Sequence, residues 1–442
     1  MKDYDQTFSY KLRLALAYRD ALRNYCKPVS EHYFKKFRQS QLAAARRLHG
    51  KPQLEVAFLL TIPGMWKSDA LFEEMTRDPR YHPYVVIYPY SIYKGFEKDE
   101  VMRTLERTRQ FVEQKHYEYW IPYDEKSGRW LDLKKERKPD IVFFSTPYKD
   151  SLPMYYVHHF RDTLTCYVPY GFSSLNLYKV NYDLIFHNLV GVHFVETELH
   201  RKMASEHSRN HGANIVVTGY PATEVFLHKD YVPQNQWKPQ PHPKKKVIYA
   251  PHHSIDKADH PSVFLETCED MLRIAEKFSD TVQFVFKPHQ LLKFKLQQLW
   301  GAEKAEAYYR QWDSMENTQL VSDGYVDLFL TSDAMIHDCG SFTTEYLFVK
   351  KPVMYLCGET EMRDKFNEFG VRSFGCHYQG HKAEQVERFL REVVVEGNDP
   401  MRQDRESFYD TYLRPHNDVL PSKRILEVIE NMIEGKETEK RS

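Results

Sequence analysis

The fold is decided by residues 332–356, SDAMIHDCGSFTTEYLFVKKPVMYL. An apolar run, Ala334, Met335 and Ile336, ends in His337, Asp338, Cys339 and Gly340. A helical pattern then opens at Ser341, and Lys351 and Pro352 stop it before a second apolar run at residues 353–356. The order is strand, tight turn, helix, strand. Gly340 supplies backbone freedom for the bend, and Ser341, Thr343 and Thr344 set small hydroxyls at the first helical turn, whose N–H groups lack partners within the helix. A helix start of this kind attracts phosphate. Glu345, four residues past Ser341, projects from the same face one turn deeper, where it suits the hydroxyls of a sugar or polyol attached to that phosphate. Taken alone, the stretch reads equally well as a plain βαβ crossover whose serine caps its helix.

Working outward, strands are expected at residues 246–250, 281–286, 318–321, 334–336 and 352–357, alternating with helices, which predicts a parallel sheet. Three of their ends share one rim: YAPHHSID at 249–256, FKPHQ at 286–290 and HDCGSFTTE at 337–345. Lys287 brings a fixed positive charge for a phosphate, Pro288 stiffens its turn, and His289 brings the side chain that exchanges protons near neutrality. His252, His253, Asp256, Asp259 and His260 have the composition of a metal site. They lie on one loop with adjacent histidines expected to point apart, so no metal and no other cofactor is expected.

The alternation also runs through the first half. Apolar strands at 54–61, 84–90, 141–146, 164–169 and 192–195 are separated by helical stretches, and residues 214–221 close the first domain. Residues 63–69 lead from a strand end into a helix, at the edge where open α/β sheets take ligands. The aromatics Tyr117, Tyr119, Trp120 and Tyr123 are expected to pack within their loop, with an acceptor groove as the other reading. Residues 231–245, rich in proline and lysine, have the composition of a linker. The resulting division is a basic helical arm at 1–50, a Rossmann-like domain at 51–230, a linker at 231–245, a second Rossmann-like domain at 246–415, and a helix at 416–442 packing back on the first domain. The two α/β domains are expected to face each other across a cleft.

Composition narrows the class. The chain has 442 residues, 28% of them charged and 14% aromatic, as in folded globular proteins, with no apolar run long enough for a membrane span and no secretory signal. Its six cysteines lack zinc-like spacing, which predicts reduced thiols in a cytosolic protein. Net charge is zero, yet residues 1–51 hold 12 Lys/Arg against 4 Asp/Glu. No zinc-finger, RNP or long basic-helix pattern supports nucleic-acid binding. An anionic membrane surface suits the arm, as does a merely solvated basic face.

The three loops together resemble the CDP-glycerol glycerophosphotransferases that prime or polymerise teichoic acids, relatives of the GT-B glycosyltransferases. The similarity rests on YAP at 249–251, KPH at 287–289 and the pattern SDxxIxDxxSxxxEYLxxxKPVxYL from Ser332 to Leu356. It covers roughly residues 160–435. The resemblance implies a cytidine-linked donor held by the second domain, and transfer of an alditol phosphate to a lipid-linked or glycan acceptor with release of CMP. It places Lys287, Asp338, Gly340, Ser341, Thr343, Glu345 and His252 at the donor and His289 in catalysis. Two departures stand out. Tyr170–Gly171 occupies the place of a His-Gly pair whose histidine is the family's general base, which leaves Tyr170, His187, His289 or an acceptor-side group for that role. His252–His253 follows YAP where the family has Thr-aromatic-Arg, which removes a guanidinium expected near phosphate. A nucleotide-sugar glycosyltransferase or epimerase, and a non-catalytic nucleotide-binding module, are the alternative readings, and the expected place is the cytoplasm, at the inner face of the cell membrane.

Overall fold

The computed structural model describes residues 27–90, 98–255, 262–322, 324–358 and 363–436. Residues 1–26 of the expected basic helical arm lie outside them, as do Asp256, Asp259 and His260. The chain divides into two units: residues 1–171, 177–224 and 415–442 make the first, and residues 172–176 and 225–414 the second.

The first unit is built on strands β1 (Leu54–Leu60), β2 (Tyr81–Ile87), β3 (Tyr119–Trp120), β6 (Ile141–Phe144), β7 (Leu164–Tyr167), β8 (Val192–Val195) and β9 (Ile215–Val217), with a small separate hairpin of β4 (Tyr123–Asp124) and β5 (Arg129–Trp130). The seven strands run parallel in the order β3-β2-β1-β6-β7-β8-β9. Helices cover such a sheet on both faces, so its central strands are apolar at nearly every position, as IVFF in β6 shows. The loop aromatics pack as expected of a folded connection: Tyr117 lies against Trp66 and Phe72, and its hydroxyl donates to Asp69.

The second half of the basic arm is a helix, Lys27–Arg46, and it is part of this unit's core. Phe34 and Phe37 join the cluster under β1, β2, β6 and β7, and the buried Gln41 bonds to the backbone of Phe160, Arg161 and Thr165. The C-terminal helix Pro421–Ile433 buries Ile425, Val428, Ile429 and Met432 against this unit, next to the helices Lys27–Arg46 and Asp69–Arg77. Its start is clamped by Glu224, whose carboxylate accepts from the backbone N–H and hydroxyl of Ser422. Gly219 permits this docking, since a Cβ there would stand 2.9 Å from Pro421.

In the second unit, β10 (Lys245–Ala250), β11 (Val282–Phe286), β12 (Thr318–Leu320), β13 (Ala334–His337), β14 (Val353–Leu356) and β15 (Tyr378–Gly380) form a parallel sheet ordered β12-β11-β10-β13-β14-β15. Written from its first strand, this is the 3-2-1-4-5-6 order of a doubly wound nucleotide-binding fold. Trp312, fully buried, stacks on Phe286 beneath the sheet. The proline-rich residues 231–244 are held against this unit, where the buried Trp237 donates from Nε1 to Thr331. Residues 172–176 also belong here: Asn367 donates to the carbonyls of Ser173 and Leu175, and Ser174 to that of Gly340.

Candidate active site

In a sheet of this order the chain reverses its direction of winding between β10 and β13, and the crevice at the carboxyl ends of those strands is where ligands bind. The three loops singled out in the sequence end there. Ala250 of β10 is in register with His337 of β13, and Tyr249 with Phe286 of β11, so the segments after Ala250, Phe286 and His337 leave the sheet at one level.

Asp338 ties the loops together. Its carboxylate accepts from the backbone N–H of His252, from the hydroxyl of Ser262 and from the backbone N–H of Val263. The group is buried, and burial pushes its pKa up to about 6 despite those three donors. Its carboxylate thus works inside the protein, holding the β10 loop against β13, in place of the direct donor contact expected of it.

The histidines converge. His252 and His253 have ring centroids 4.3 Å apart, and His289 lies 5.0 Å from the first and 4.1 Å from the second. This corrects the expectation that neighbours in sequence would point apart: Pro251 turns the chain as it leaves β10, and the β11 loop brings in a third ring, with His289 N–H bonded to the Pro251 carbonyl. One ligating atom from each ring falls within 4.8 Å of the others, a spacing that could hold a metal ion. The local hydrogen bonds favour an anion. Leu291 N–H donates to Nδ1 of His289, so the proton of that neutral ring sits on Nε2 and offers a donor, while Nδ1 of His252 meets both the N–H and, at 2.8 Å, the hydroxyl of Ser254. Burial, then the neighbouring His253, Lys295 and Lys287, push the pKa of His289 down to about 4. Lys287 is buried beside it, with Nζ donating to the Ser322 carbonyl.

The β13 loop differs from expectation in its details. The helical turn Phe342–Glu345 runs directly into the 3-10 turn Tyr346–Val349, and Ser341 makes no capping bond; its hydroxyl lies 3.3 Å from the sulfur of Cys339. Ser341 and Gly340 are partly exposed, whereas Thr343 is buried with its hydroxyl bonded to the Cys339 carbonyl, and Glu345 is 3% exposed. Of the expected donor contacts, then, His252, His289, Gly340 and Ser341 are partly exposed at this rim with Lys287 buried just behind them, while Asp338, Thr343 and Glu345 lie beneath it.

Two other base candidates sit in the first unit, and neither suits the role. Tyr170, after β7, bonds through its hydroxyl to that of Tyr148 at 3.1 Å, and burial raises its pKa, so the phenol stays protonated. His187 is buried in the core, stacked on His193, with its pKa held far below the usual value by desolvation. A ring sealed in this way cannot meet a substrate proton. The convergence of His253 was the feature missed in the sequence; the doublet HH after a strand-ending YAP was its only signal.

A profile of the CDP-glycerol:poly(glycerophosphate) glycerophosphotransferases matches residues 188–431, more than half of the chain. The chain belongs to this family. It is an enzyme of the CDP-glycerol:poly(glycerophosphate) glycerophosphotransferase type. No curated protein matches it by sequence. Among solved structures, a variant of the wall teichoic acid polymerase TagF is similar, at 14% identity and a TM-score of 0.53, over 95% of this chain and 98% of that one. The MnaA–UDP complex of S. aureus superposes with a TM-score of 0.53 at 15% identity, covering 88% and 99% of the two chains. For the UDP-GlcNAc 2-epimerase of Neisseria meningitidis the values are 0.51, 15%, 84% and 98%. At these identities the likeness establishes the shared GT-B-type fold of the transferase.

Proposed function

We propose that the transferase holds the diphosphate of a CDP-linked alditol at the carboxyl ends of β10, β11 and β13, and passes the alditol phosphate to a hydroxyl of a lipid-linked or glycan acceptor. The acceptor hydroxyl oxygen attacks the distal phosphorus and gives up its proton to solvent, the bridging P–O bond breaks, and CMP leaves with the electron pair. The observation that carries this reading is the meeting of His252, His253 and His289 at one point beside Lys287. In phosphoryl transfer the protein's task is to position the groups and to stabilise charge on the phosphate oxygens. Imidazole N–H donors and an ammonium do so without the guanidinium that the motif lacks here. His289, with its proton on Nε2, acts on the leaving phosphate. Ser341 and the backbone at Gly340 complete the cradle.

No helix among the described residues is long and apolar enough to cross a membrane. The exposed Lys35, Lys36 and Arg46 on the helix Lys27–Arg46, with Arg47 just past its end, suit an anionic surface such as the inner face of the cell membrane. The test is calorimetric titration of the folded enzyme with CDP-glycerol, UDP-GlcNAc and CMP, followed by assay for CMP release. Binding of CDP-glycerol with turnover on a lipid-linked acceptor supports the proposal. Preference for the UDP-sugar moves the site to sugar chemistry, and tight binding without turnover makes it a nucleotide-binding module.

A further inference from the structure

The turn after β13 is held from behind by buried polar side chains that the transfer chemistry does not use. Tyr355 of β14 donates from its hydroxyl to the Asp338 carbonyl at 3.2 Å. The hydroxyl of Ser373, on the helix Glu368–Phe374, donates to the Thr343 carbonyl at 2.6 Å. His337, the last residue of β13, is fully buried, and its Nδ1 accepts from the Cys339 backbone N–H at 3.1 Å. His377 is buried four residues past Ser373, whose carbonyl lies 2.9 Å from its Nδ1. The two imidazoles meet edge to face, with centroids 5.4 Å apart and planes at 66°.

Those two bonds fix the protons. A nitrogen that accepts an N–H carries no hydrogen, so the neutral ring of His337 has its proton on Nε2. A carbonyl only accepts, so the neutral ring of His377 has its proton on Nδ1 and a lone pair on Nε2. Burial keeps both rings neutral, with the pKa of His377 pushed down to about 3 and that of His337 well below the ordinary value. One donor and one acceptor are left over, Nε2–H of His337 and Nε2 of His377, and neither has a hydrogen-bond partner among the described residues. Leaving both unmade is costly, and rings this close can meet through their Nε2 atoms directly or across one water. Of the rings packed on His337, Phe342 has no acceptor and the Tyr355 hydroxyl is already engaged, whereas His377 has an acceptor to spare. Arg405 is the competing donor near His377: its Nη1 also lacks a partner among the described residues, although Nη2 and Nε are bonded to Asp399 and to the Lys350 carbonyl.

We infer that His337 and His377 are a hydrogen-bonded pair, Nε2–H to Nε2, directly or through one buried water, and that the pair positions the Cys339–Ser341 turn for the donor diphosphate. The role follows from the tautomer. A proton moved to Nδ1 of His337 would face the Cys339 N–H and push the turn away, and the acceptor on His377 opposes that move. One segment, Ser373 to His377, therefore holds the turn twice, at Thr343 directly and at Cys339 through His337. The positioning role rests on the reading of this turn as the donor cradle; the pairing does not.

The experiment is long-range proton–nitrogen spectroscopy of the full chain labelled with 15N-histidine, as wild type, His377→Phe, His377→Gln and His337→Asn, with KM measured for CDP-glycerol and for the acceptor. In the wild type His337 should show the Nε2–H tautomer and His377 the Nδ1–H tautomer. His377→Phe should mix the tautomers of His337 and raise the donor KM by about tenfold, leaving the acceptor KM within about twofold. His377→Gln, whose amide oxygen reaches the place of Nε2, should restore both readouts. An Nδ1–H tautomer at His337 in the wild type overturns the pair, and that spectrum decides even where a variant does not fold. A His377 Nε2 signal that is unmoved in His337→Asn belongs to Arg405 and overturns it as well. Mixed tautomers with an unchanged donor KM in folded His377→Phe overturn the positioning role. A wild type that binds no CDP-glycerol overturns the donor reading instead, with the pair still read from the wild-type spectrum.

Discussion

Both units carry a parallel sheet with the same winding order, and both gather histidines, the first around β8 and the second at the reversal between β10 and β13, yet among the described residues only the second set is chemically available. In the first unit His193 lies within β8 and His187 on the neighbouring helix Ile185–Leu189; their rings stack 5.2 Å apart inside the core, and desolvation drives both pKa values down, His193 to about 3. In the second unit His252, His253 and His289 lie just beyond strand ends, partly exposed and gathered around one point. The difference shows that strand order supplies a crevice and nothing more. A histidine inside an element packs against the next layer, whereas one on the loop beyond a strand's carboxyl end faces whatever enters the crevice.

The sharpest way to break this contrast is to remove a ring from each side. His289→Ala should lower turnover by about 100-fold, and donor affinity by about tenfold with it, because the lost N–H bond reaches a charged phosphate. If affinity is intact and the acidic limb of the pH–rate profile vanishes, His289 is the general base and its tautomer must change on binding. His187→Phe and His193→Phe should leave donor affinity within about twofold, and a loss equal to that of His289→Ala would place the site in the first unit. Lys287→Ala and Ser341→Ala should each weaken donor binding by about tenfold, read by calorimetry.

Titration sharpens the same comparison. A phosphate beside His289 raises its pKa from about 4, so donor binding takes up a proton and tightens as pH falls from 7 towards 5, by up to about tenfold per pH unit for one proton. Calorimetry in buffers of different ionisation enthalpy reads that proton directly. Stability follows another set of groups. His193 and His377, each pushed down to about 3, favour the folded state above the ordinary histidine pKa, and that stability is lost as pH falls from about 6.5 towards 3. Glu224 has the opposite sign: its pKa is pushed up to about 7, chiefly by burial, so stability is lost as pH rises from about 4.5 to 7. Glu224→Gln should remove that alkaline loss, by about 1–3 kcal/mol at pH 8 in chemical denaturation, and an unchanged pH profile would show that Glu224 is solvated.

The smallest expected effect concerns the basic segment. Because Phe34, Phe37 and Gln41 are built into the first unit, deleting residues 1–50 would unfold it, so the test is charge reversal on the exposed side. Lys35→Glu with Lys36→Glu should weaken sedimentation with anionic vesicles by about 1 kcal/mol per residue at low salt, without changing donor turnover. Equal sedimentation at low and high salt would assign this face to solvent.

Residues 332–356 alone determined much of the architecture. Their switch from apolar run to Gly-Ser turn to helical pattern marked a βαβ unit, and the repeated alternation around them required parallel sheets, because an apolar run covered on both faces is legible from side-chain chemistry without knowledge of partners. The KPH and DxxSxxxE patterns were legible for the same reason: each lies within a few residues of a strand end. Three things depended on tertiary structure. Asp338 serves as a brace between loops because its partners, His252, Ser262 and Val263, lie far from it in sequence and reach it only once β10 and β13 pair. His253 joins His289 because the β10 and β11 loops leave the sheet side by side. The basic helix is core rather than arm because Gln41 finds the backbone around β7, more than a hundred residues away. Periodicity is a local property of the chain and survives in its sequence. Which buried polar group meets which, and which lysines and leucines stay uncovered, is set by packing between segments that sequence spacing does not relate.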